Sequence, residues 1–428
     1  MSDNKGIKWG ALQVLTGGMY FGARNALGTP ASWIISYPGL TDVNKDKNGN
    51  VTSVGNEYGL LKWCKDHNEL PPYQLFNKKP FEKSGLDVDL IDDPVWSTEK
   101  VDYSNTDLVL SVPVCSGLSQ ATIASQDTKD DRNCNMMFNA EFTLSRIKPK
   151  IYIFENAPLL FSDGGSSVRE SLNELGKKYG YSVVYYKTDT QLHDNCQRRP
   201  RTFVLFIKHR NESNGSPEFN YENKPASVEE FFSRIPSNAT QQVSVKMSDT
   251  GKLLLDFMKN KFGSNYRDND VRPWLIRKVI KDDLFDEAYD YASKSSYDKK
   301  TVDSLIHLLK HVKSKIESGK NFYCMLPGYA KTDAPIPAVM FKTIPTVLHY
   351  KEDRLFTIRE YLHLMGMPSD YELPGDINCN YAKIGQNVPA RTAQWIISEA
   401  VRIINNWDSI DRKLNEVLFV DNIKQITV

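Results

Sequence analysis

The chain has no run approaching 18 consecutive apolar residues, so nothing in it reads as a membrane-spanning helix. Its first residues, Met1 to Gly6, lack the apolar core of a secretory leader. An excess of one charge is missing too. Lys and Arg number 54 against 53 Asp and Glu, a net charge of +1. No global basic field advertises nucleic acid, and any such contact must come from local patches. Cysteine is scarce: Cys64, Cys115, Cys134, Cys196, Cys324 and Cys379 form no CxxC pair. That usage suits a reducing compartment, and a cytoplasmic, non-membrane protein is expected. There is no Walker-type phosphate loop, no zinc spacing and no internal repeat, so no metal is expected. At 428 residues the chain is long enough for two or three domains.

What is present centres on residues 107–120. Leu108, Val109, Leu110 and Val112 read as a buried strand running into a turn rich in Pro, Gly and Ser. Cys115 then falls at the carboxyl end of a strand, where open α/β sheets keep their reactive groups. A lone cysteine is more often a structural one. Three later stretches give this one company. Lys150–Ala157 is a second apolar strand ending in Glu155-Asn156. Cys196–Ile207 opens a third with Gln197, Arg199 and Arg201 in an alternating Q-x-R-x-R array. Arg354–Glu360 and Ile384–Pro389 come much later.

Taken in order, residues 8–37 read strand, glycine turn, short helix, strand, the way a nucleotide-type crevice begins in doubly wound folds. The first strand is expected over Ala11–Leu15, broken by Thr16-Gly17-Gly18. Residues 41–106 are polar, with an Asn48-Gly49-Asn50 turn and a short helix near Leu60–Cys64. A helix through Met136–Arg146, one opened by a capping box at Ser167–Glu170, and a strand over Gly180–Tyr186 follow. Strands alternating with helices at this spacing predict an α/β fold with a doubly wound, mostly parallel sheet.

At Asn211–Pro217 the composition shifts to a polar linker, and beyond it the chain turns helical. Ser227–Glu230 is a capping box. Val302, Leu305, Ile306, Leu309, Val312 and Ile316 make an amphipathic stripe closed by Gly319. A periodic run over Val271–Ala292 carries Arg272, Trp274, Arg277 and Lys278, basic residues interleaved with an aromatic, which suits phosphate contact. A solvated helix is the commoner use of such a run, since acidic residues 282–287 follow. The chain then returns to its first domain through a helix begun by Arg354–Glu360, with Arg359 and Glu360 read as an internal ion pair. A last helix carries Ala393, Ile396, Ile397, Ala400, Val401 and Ile404. The domains expected are 1–210, 211–348 and 349–428, the middle one inserted.

The ordered set of motifs, with Cys115, Glu155-Asn156, the 197–201 array, Arg354–Glu360 and Gly385–Pro389, resembles the DNA (cytosine-5) methyltransferases, in the stand-alone prokaryotic or phage-borne form. That resemblance implies a fold for S-adenosylmethionine-dependent methyl transfer, with residues 211–348 as a largely helical target-recognition domain. It implies a catalytic set of Cys115, Glu155, Arg199 and Arg201. It implies S-adenosylmethionine held by Thr16, Gly17, Gly18, Phe21, Pro113, Gln386, Asn387 and Val388, with Phe21 near the adenine. It further implies double-stranded DNA met by Ser119, Gln197, Arg272, Trp274, Arg277 and Lys278, and a monomer. An RNA-acting enzyme of the same fold, or a nucleic-acid-binding protein that has lost catalysis, are the alternatives.

Three departures from the family mark this chain. After the second strand it reads Ser36-Tyr37-Pro38-Gly39, where the family has an acid gripping the ribose; Asp42 or Tyr37 are the nearest substitutes. Val114 stands between Pro113 and Cys115. Lys383 and Gln386 replace the usual Gln and Asn of the last motif.

Overall fold

Residues 9–12 are buried on both sides, and so are 108–111 and 151–156. Near-continuous apolar runs of this kind belong in a parallel sheet covered on both faces. The computed structural model describes residues 6–77, 90, 94–114, 118, 131–209, 217–219, 227–243, 246–267, 275–319, 328–329, 335–338, 347–407 and 417–423. Cys115, Ser119, Arg272 and Trp274, expected at the site, lie outside the described residues, as does the side chain of Arg277.

The chain opens with β1 (Trp9–Leu12), α1 (Gly18–Leu27) and β2 (Trp33–Ser36). A hairpin of β3 (Val43–Lys45) and β4 (Val51–Val54) precedes α2 (Tyr58–Asp66) and β5 (Tyr73–Leu75). Then come β6 (Leu108–Ser111), α3 (Asp131–Phe142), β7 (Ile151–Asn156), α4 (Ser166–Tyr179) and β8 (Tyr181–Asp189). The short β9 (Gln197–Arg198) leads into β10 (Pro200–Lys208). A helical stretch follows: α5 (Val228–Ser233), α6 (Asp249–Phe262), α7 (Leu275–Lys281), α8 (Phe285–Lys294) and α9 (Lys299–Glu317). After β11 (Gly328–Tyr329), β12 (Ile336–Pro337) and β13 (Val347–Leu348), the chain ends in α10 (Ile358–Leu364), α11 (Ile377–Gln386), α12 (Ala390–Asn405) and β14 (Val417–Asp421).

Eight strands make the central sheet in the order β14-β8-β10-β7-β6-β1-β2-β5. Every pairing in it is parallel except those of β10, which runs against both β7 and β8. The order reverses on either side of β1, which makes the carboxyl end of β1 the topological switch point. Alternate residues feed two apolar layers. Ala11, Leu110, Ile151 and Ile153 join the layer that contains α1 and α12. Leu12, Val109, Tyr152 and Phe154 join the layer that contains α3 and α4. The doubly wound, mostly parallel α/β fold read from the sequence is therefore the fold observed.

Beyond the sheet, α6 to α9 surround a separate apolar cluster that runs from Met247 to Leu355. Ser248 and Asp298 cap α6 and α9 by accepting backbone N–H bonds from Gly251 and Thr301. The short α5, capped by Ser227, lies on the other side of that division. Its Val228, Phe231 and Phe232 pack into the layer of α1 and α12.

Several local expectations shift. β1 ends at Leu12 rather than Leu15, because Gln13 and Leu15 both turn left-handed, at φ 51° and 50°. Ser167 is inside α4, which starts at Ser166 with Gly165 ahead of it, so no capping box forms there. The run 271–292 is cut by a left-handed Asp283 into α7 and α8. α10 starts at Ile358, where Thr357 and Glu360 form a complete capping box. Arg359 and Glu360 are not paired. Glu360 takes Arg354 at 2.9 Å, and Arg359 donates to the carbonyls of Thr240, Pro368 and Tyr371. Consecutive helical residues face different directions, which is why a sequence neighbour made a poor partner.

In their shared layer α1 and α12 approach closely. A Cβ added to Gly22 would stand 2.5 Å from the Ala393 Cβ and 2.8 Å from the Ala390 carbonyl. Gly22→Ala should force the two helices apart and lower stability by about 1–3 kcal/mol, the usual cost of overpacking. A thermal melt checks this, and an unchanged midpoint would mean the helices do not approach so closely.

Candidate active site

Because β10 is reversed, its first residues arrive at the edge where β7 ends. Phe203 pairs with Glu155 and Thr202 with Asn156, so Arg201 stands beside the end of β7. Its Nε meets Glu155 Oε1 at 2.7 Å. Burial pushes the Glu155 carboxyl up, with Arg201 and then Arg199 pulling against it. On the other side of β7, Ser111 pairs with Phe154, so the chain leaves β6 next to Glu155. Two of the four expected catalytic residues, Glu155 and Arg201, thus meet directly, beside the segment that leads to Cys115.

Arg199 has a different position from the one expected. It is buried, and its Nη2 donates to the carbonyls of Gly385 and Asn387, each at 2.9 Å. It fastens the 197–201 array to the turn after α11. Gln197 is fully buried, and neither end of its carboxamide has a hydrogen-bond partner among the described residues. Arg198 is exposed.

The turn held by Arg199 closes over the loop at the switch point. Asn387 Oδ1 accepts the Gly18 N–H at 2.9 Å. A Cβ on Gly18 would lie 1.7 Å from the Val388 carbonyl, so only glycine allows the approach. Thr16 donates its hydroxyl to the Lys383 carbonyl at 3.0 Å, and Tyr371 donates to the Thr16 carbonyl at 2.8 Å. Gln386 accepts from Asn56 at 2.8 Å. Thr16, Gly17, Gly18, Asn387 and Val388 are accordingly brought together, with Gln386 at their border. Pro113 is buried in the neighbouring loop after β6. Phe21 needs correcting: its ring packs edge-on against Trp63 and Tyr371 at 4.9 and 5.7 Å, inside the core. A ring on the fourth position of α1 faces the layer, not the loop. Lys383 is buried, and burial pushes its pKa down.

The residue that sequence reasoning missed is Glu57. Neither Asp42 nor Tyr37 takes the place of the absent acid; the Tyr37 hydroxyl is bonded to Asn139 at 2.5 Å. The chain instead makes an excursion through the β3–β4 hairpin and comes back, the Glu57 N–H bonding to the Leu40 carbonyl at 2.9 Å. That return sets the Glu57 carboxyl among Ser36 at 2.9 Å, Tyr73 at 3.0 Å and the Leu15 N–H at 3.4 Å. The signal was Asn56-Glu57 just ahead of the periodic Leu60, Leu61, Trp63 and Cys64. The Val14 amide also faces this carboxyl, so every donor around it is neutral. The Gln13 Oε1 is also buried, without a partner among the described residues. A buried acid and an unpaired acceptor beside a glycine loop fit a ligand that brings hydroxyl and amino donors, as a nucleoside with an amino-acid tail does.

Residues 72–402 match the C-5 cytosine-specific DNA methylase family. The type II methyltransferase M.Sau96I of Staphylococcus aureus is 22% identical over 274 residues, 62% of this chain and 54% of that protein. M1.HphI of Haemophilus parahaemolyticus, also a type II methyltransferase, is 20% identical over 307 residues, 71% of this chain and 70% of that one. The chain therefore spans about half the length of the first relative. Among solved structures, a putative DNA modification methyltransferase encoded within an E. coli prophage superposes with a TM-score of 0.53 at 14% identity, covering 93% of this chain and 99% of that chain. The Entamoeba histolytica methyltransferase EhMeth gives 0.52 at 12% identity, covering 95% and 100%. These identities establish a common fold. The family match begins after α2, so the assignment of Glu57 rests on its geometry.

Burial pushes the Glu57 carboxyl up to about 7, with Ser36, Tyr73 and the Leu15 and Val14 amides pulling the other way. A carboxyl whose pKa is higher folded than unfolded favours the fold while protonated. Stability should fall as pH rises from about 4.5 to about 7, by roughly 3 kcal/mol at about 1.4 kcal/mol per unit. Melting curves of wild type and Glu57→Gln across that window check it. The variant should show a flatter profile, and parallel profiles would mean Glu57 does not titrate there.

Proposed function

The chain belongs to the C-5 cytosine-specific DNA methylase family, and from that membership we propose that it methylates C5 of cytosine in double-stranded DNA. The observation that carries the reading is the Glu155–Arg201 pair at the carboxyl edge, one strand away from the segment leading to Cys115. Cytosine C5 is a weak nucleophile. Addition of the Cys115 thiolate to C6 makes the ring an enamine whose C5 can take a methyl group, the logic of covalent catalysis. Loss of the C5 proton to a base then lets the sulfur leave C6. Glu155, its pKa raised, suits a contact with the ring N3 and exocyclic amine, where a shared proton is useful. Arg201 is oriented for the base's carbonyl by its bond to Glu155. A base within a duplex cannot reach such a pocket, so it must be flipped out at a cost of a few kcal/mol.

S-adenosylmethionine, when bound, supplies the methyl group as an electrophile. Thr16, Gly17 and Gly18 would hold it at the switch point, with Pro113, Gln386, Asn387 and Val388 bordering. Glu57 offers an acceptor to the ribose hydroxyls, and Gln13 an acceptor to an amino group.

Residues 211–348 serve as the target-recognition domain in this reading. The separate core of α6 to α9 supports a unit that folds around itself. Lys278 lies over the Phe262 ring at 4.2 Å, an aromatic neighbour of the kind that holds a basic side chain in place.

DNA carrying 5-fluorocytosine, which cannot lose its C5 substituent, should trap the wild type as a denaturant-resistant complex. Cys115→Ala should trap none, and bisulfite sequencing of cells expressing it should find no methylated word. Methylation by Cys115→Ala would refute the nucleophile. For the recognition domain, Arg272→Ala with Lys278→Ala should weaken binding to all DNA sequences. The slope of affinity against salt should flatten by roughly one for each phosphate no longer neutralised. Unchanged affinity and slope would move the DNA face elsewhere.

A further inference from the structure

Two buried asparagines on α3 have no role in the site so far. Asn135 and Asn139 are four residues apart, hence on one face of the helix, and both are fully buried. Asparagine is a poor interior residue for a helix, and burying its carboxamide costs free energy unless it is bonded. Each is bonded to a strand end through its oxygen, while its amide nitrogen has no partner among the described residues. Asn139 Oδ1 accepts from Tyr37, the residue after β2. Asn135 Oδ1 accepts from the Val114 N–H at 2.8 Å. Val114 is the last described residue before Cys115.

The exit from β6 is pinned on its other side as well. The Val112 N–H donates to the Gln13 carbonyl at 3.1 Å, tying it to the switch-point loop. Pro113 between them has no N–H to give, and its ring fixes φ. Each backbone donor of the 112–114 segment is thus engaged, Val112 by the loop after β1 and Val114 by a side chain of α3. Met136 and Ala140 supply the helix's apolar contacts to the sheet layer, and Asn135 also faces the Tyr37 hydroxyl.

We infer that Asn135 is a positioning residue for the cytosine reaction. Its side-chain oxygen sets the direction in which the chain leaves β6 towards Cys115. This rests on Cys115 being the nucleophile. A nucleophile displaced by even about an ångström commonly loses around a hundredfold in rate.

The test measures how fast 5-fluorocytosine DNA is trapped in the presence of S-adenosylmethionine. The proteins are wild type, Asn135→Ala, Asn135→Asp, Val114→Pro and the double variant Val114→Pro with Asn135→Ala. Thermal melts give the folded fraction, and calorimetry gives affinity for S-adenosylhomocysteine. Asn135→Ala should trap at least about tenfold more slowly per folded molecule, with product affinity within about twofold of wild type. Asn135→Asp keeps an acceptor oxygen and should recover most of the rate. Val114→Pro removes the donor, so the double variant should be no slower than the slower single one. Trapping by Asn135→Ala at the wild-type rate would overturn the positioning role alone. So would a loss in Asn135→Asp equal to that in Asn135→Ala, or additive losses in the double variant. A wild type that traps nothing would overturn the nucleophile and the positioning role together.

Discussion

The structure depends most on the closure of the Gly385–Val388 turn over the Thr16–Gly18 loop. Two segments far apart in sequence meet there at backbone distance, because Gly18 has no side chain to hold them apart. The turn is held from above by Arg199, whose buried guanidinium donates to two of its carbonyls. An unpaired buried carbonyl costs about 1–3 kcal/mol, so losing Arg199 would undo more than one bond. A charged group was the suitable choice, since bonds from a guanidinium are roughly twice as strong as neutral ones.

Two buried carboxyls lie at the same edge of the sheet, and their surroundings differ. Glu155 faces Arg201 and Arg199, so its burial is offset by cations. Glu57 is offset only by neutral donors, two hydroxyls and backbone amides. The first arrangement keeps a buried acid beside a charged partner. The second leaves a buried acid with no cation to hold its charge, and burial pushes its pKa up to about 7. Each environment follows from topology. The reversed β10 delivers arginines next to β7, whereas β2 ends in Ser36 and β5 begins with Tyr73, and neither brings a cation.

Much of this was legible in the sequence because the signals were periodic or ordered. The apolar runs at 108–112 and 150–154 became central strands, and the stripe from Ala393 to Ile404 became α12, packed on α1. The glycine pair and Asn387 were found where they touch. What stayed hidden depended on a third dimension. Glu57 was missed because an inserted hairpin separates it from the strand end it serves, so spacing along the chain misled. Arg199 and Arg201 looked equivalent in an alternating array. Phe21 looked like a ligand contact because it follows glycines, but one helical turn carried it into the core. Arg359 and Glu360 were adjacent in sequence and therefore pointed apart.

The site is also built from contacts between segments far apart in sequence. Thr16 and Lys383 are 367 residues apart, Gly18 and Asn387 are 369 apart, and Arg199 meets Gly385 across 186. Contacts of such separation carry the loop-closure entropy of everything between them. The helical unit of α6 to α9 is part of that intervening chain, and its own core contributes no residue to these contacts. Elsewhere in that intervening chain, β12 pairs with β9 over two residues, Ile336 with Gln197 and Pro337 with Arg198, and Ile336 packs into the layer of α1 and α12. The Ile336 N–H also donates to the Cys196 carbonyl at 2.8 Å. The start of the arginine array is thus one of several places where residues 211–348 meet the sheet layers, beside α5 and the bond from Arg359 to the Thr240 carbonyl. Sequence in α6 to α9 can vary with little consequence for the closure over Gly18, while a change at β12 would be felt at Gln197 and then at Arg199 and Arg201.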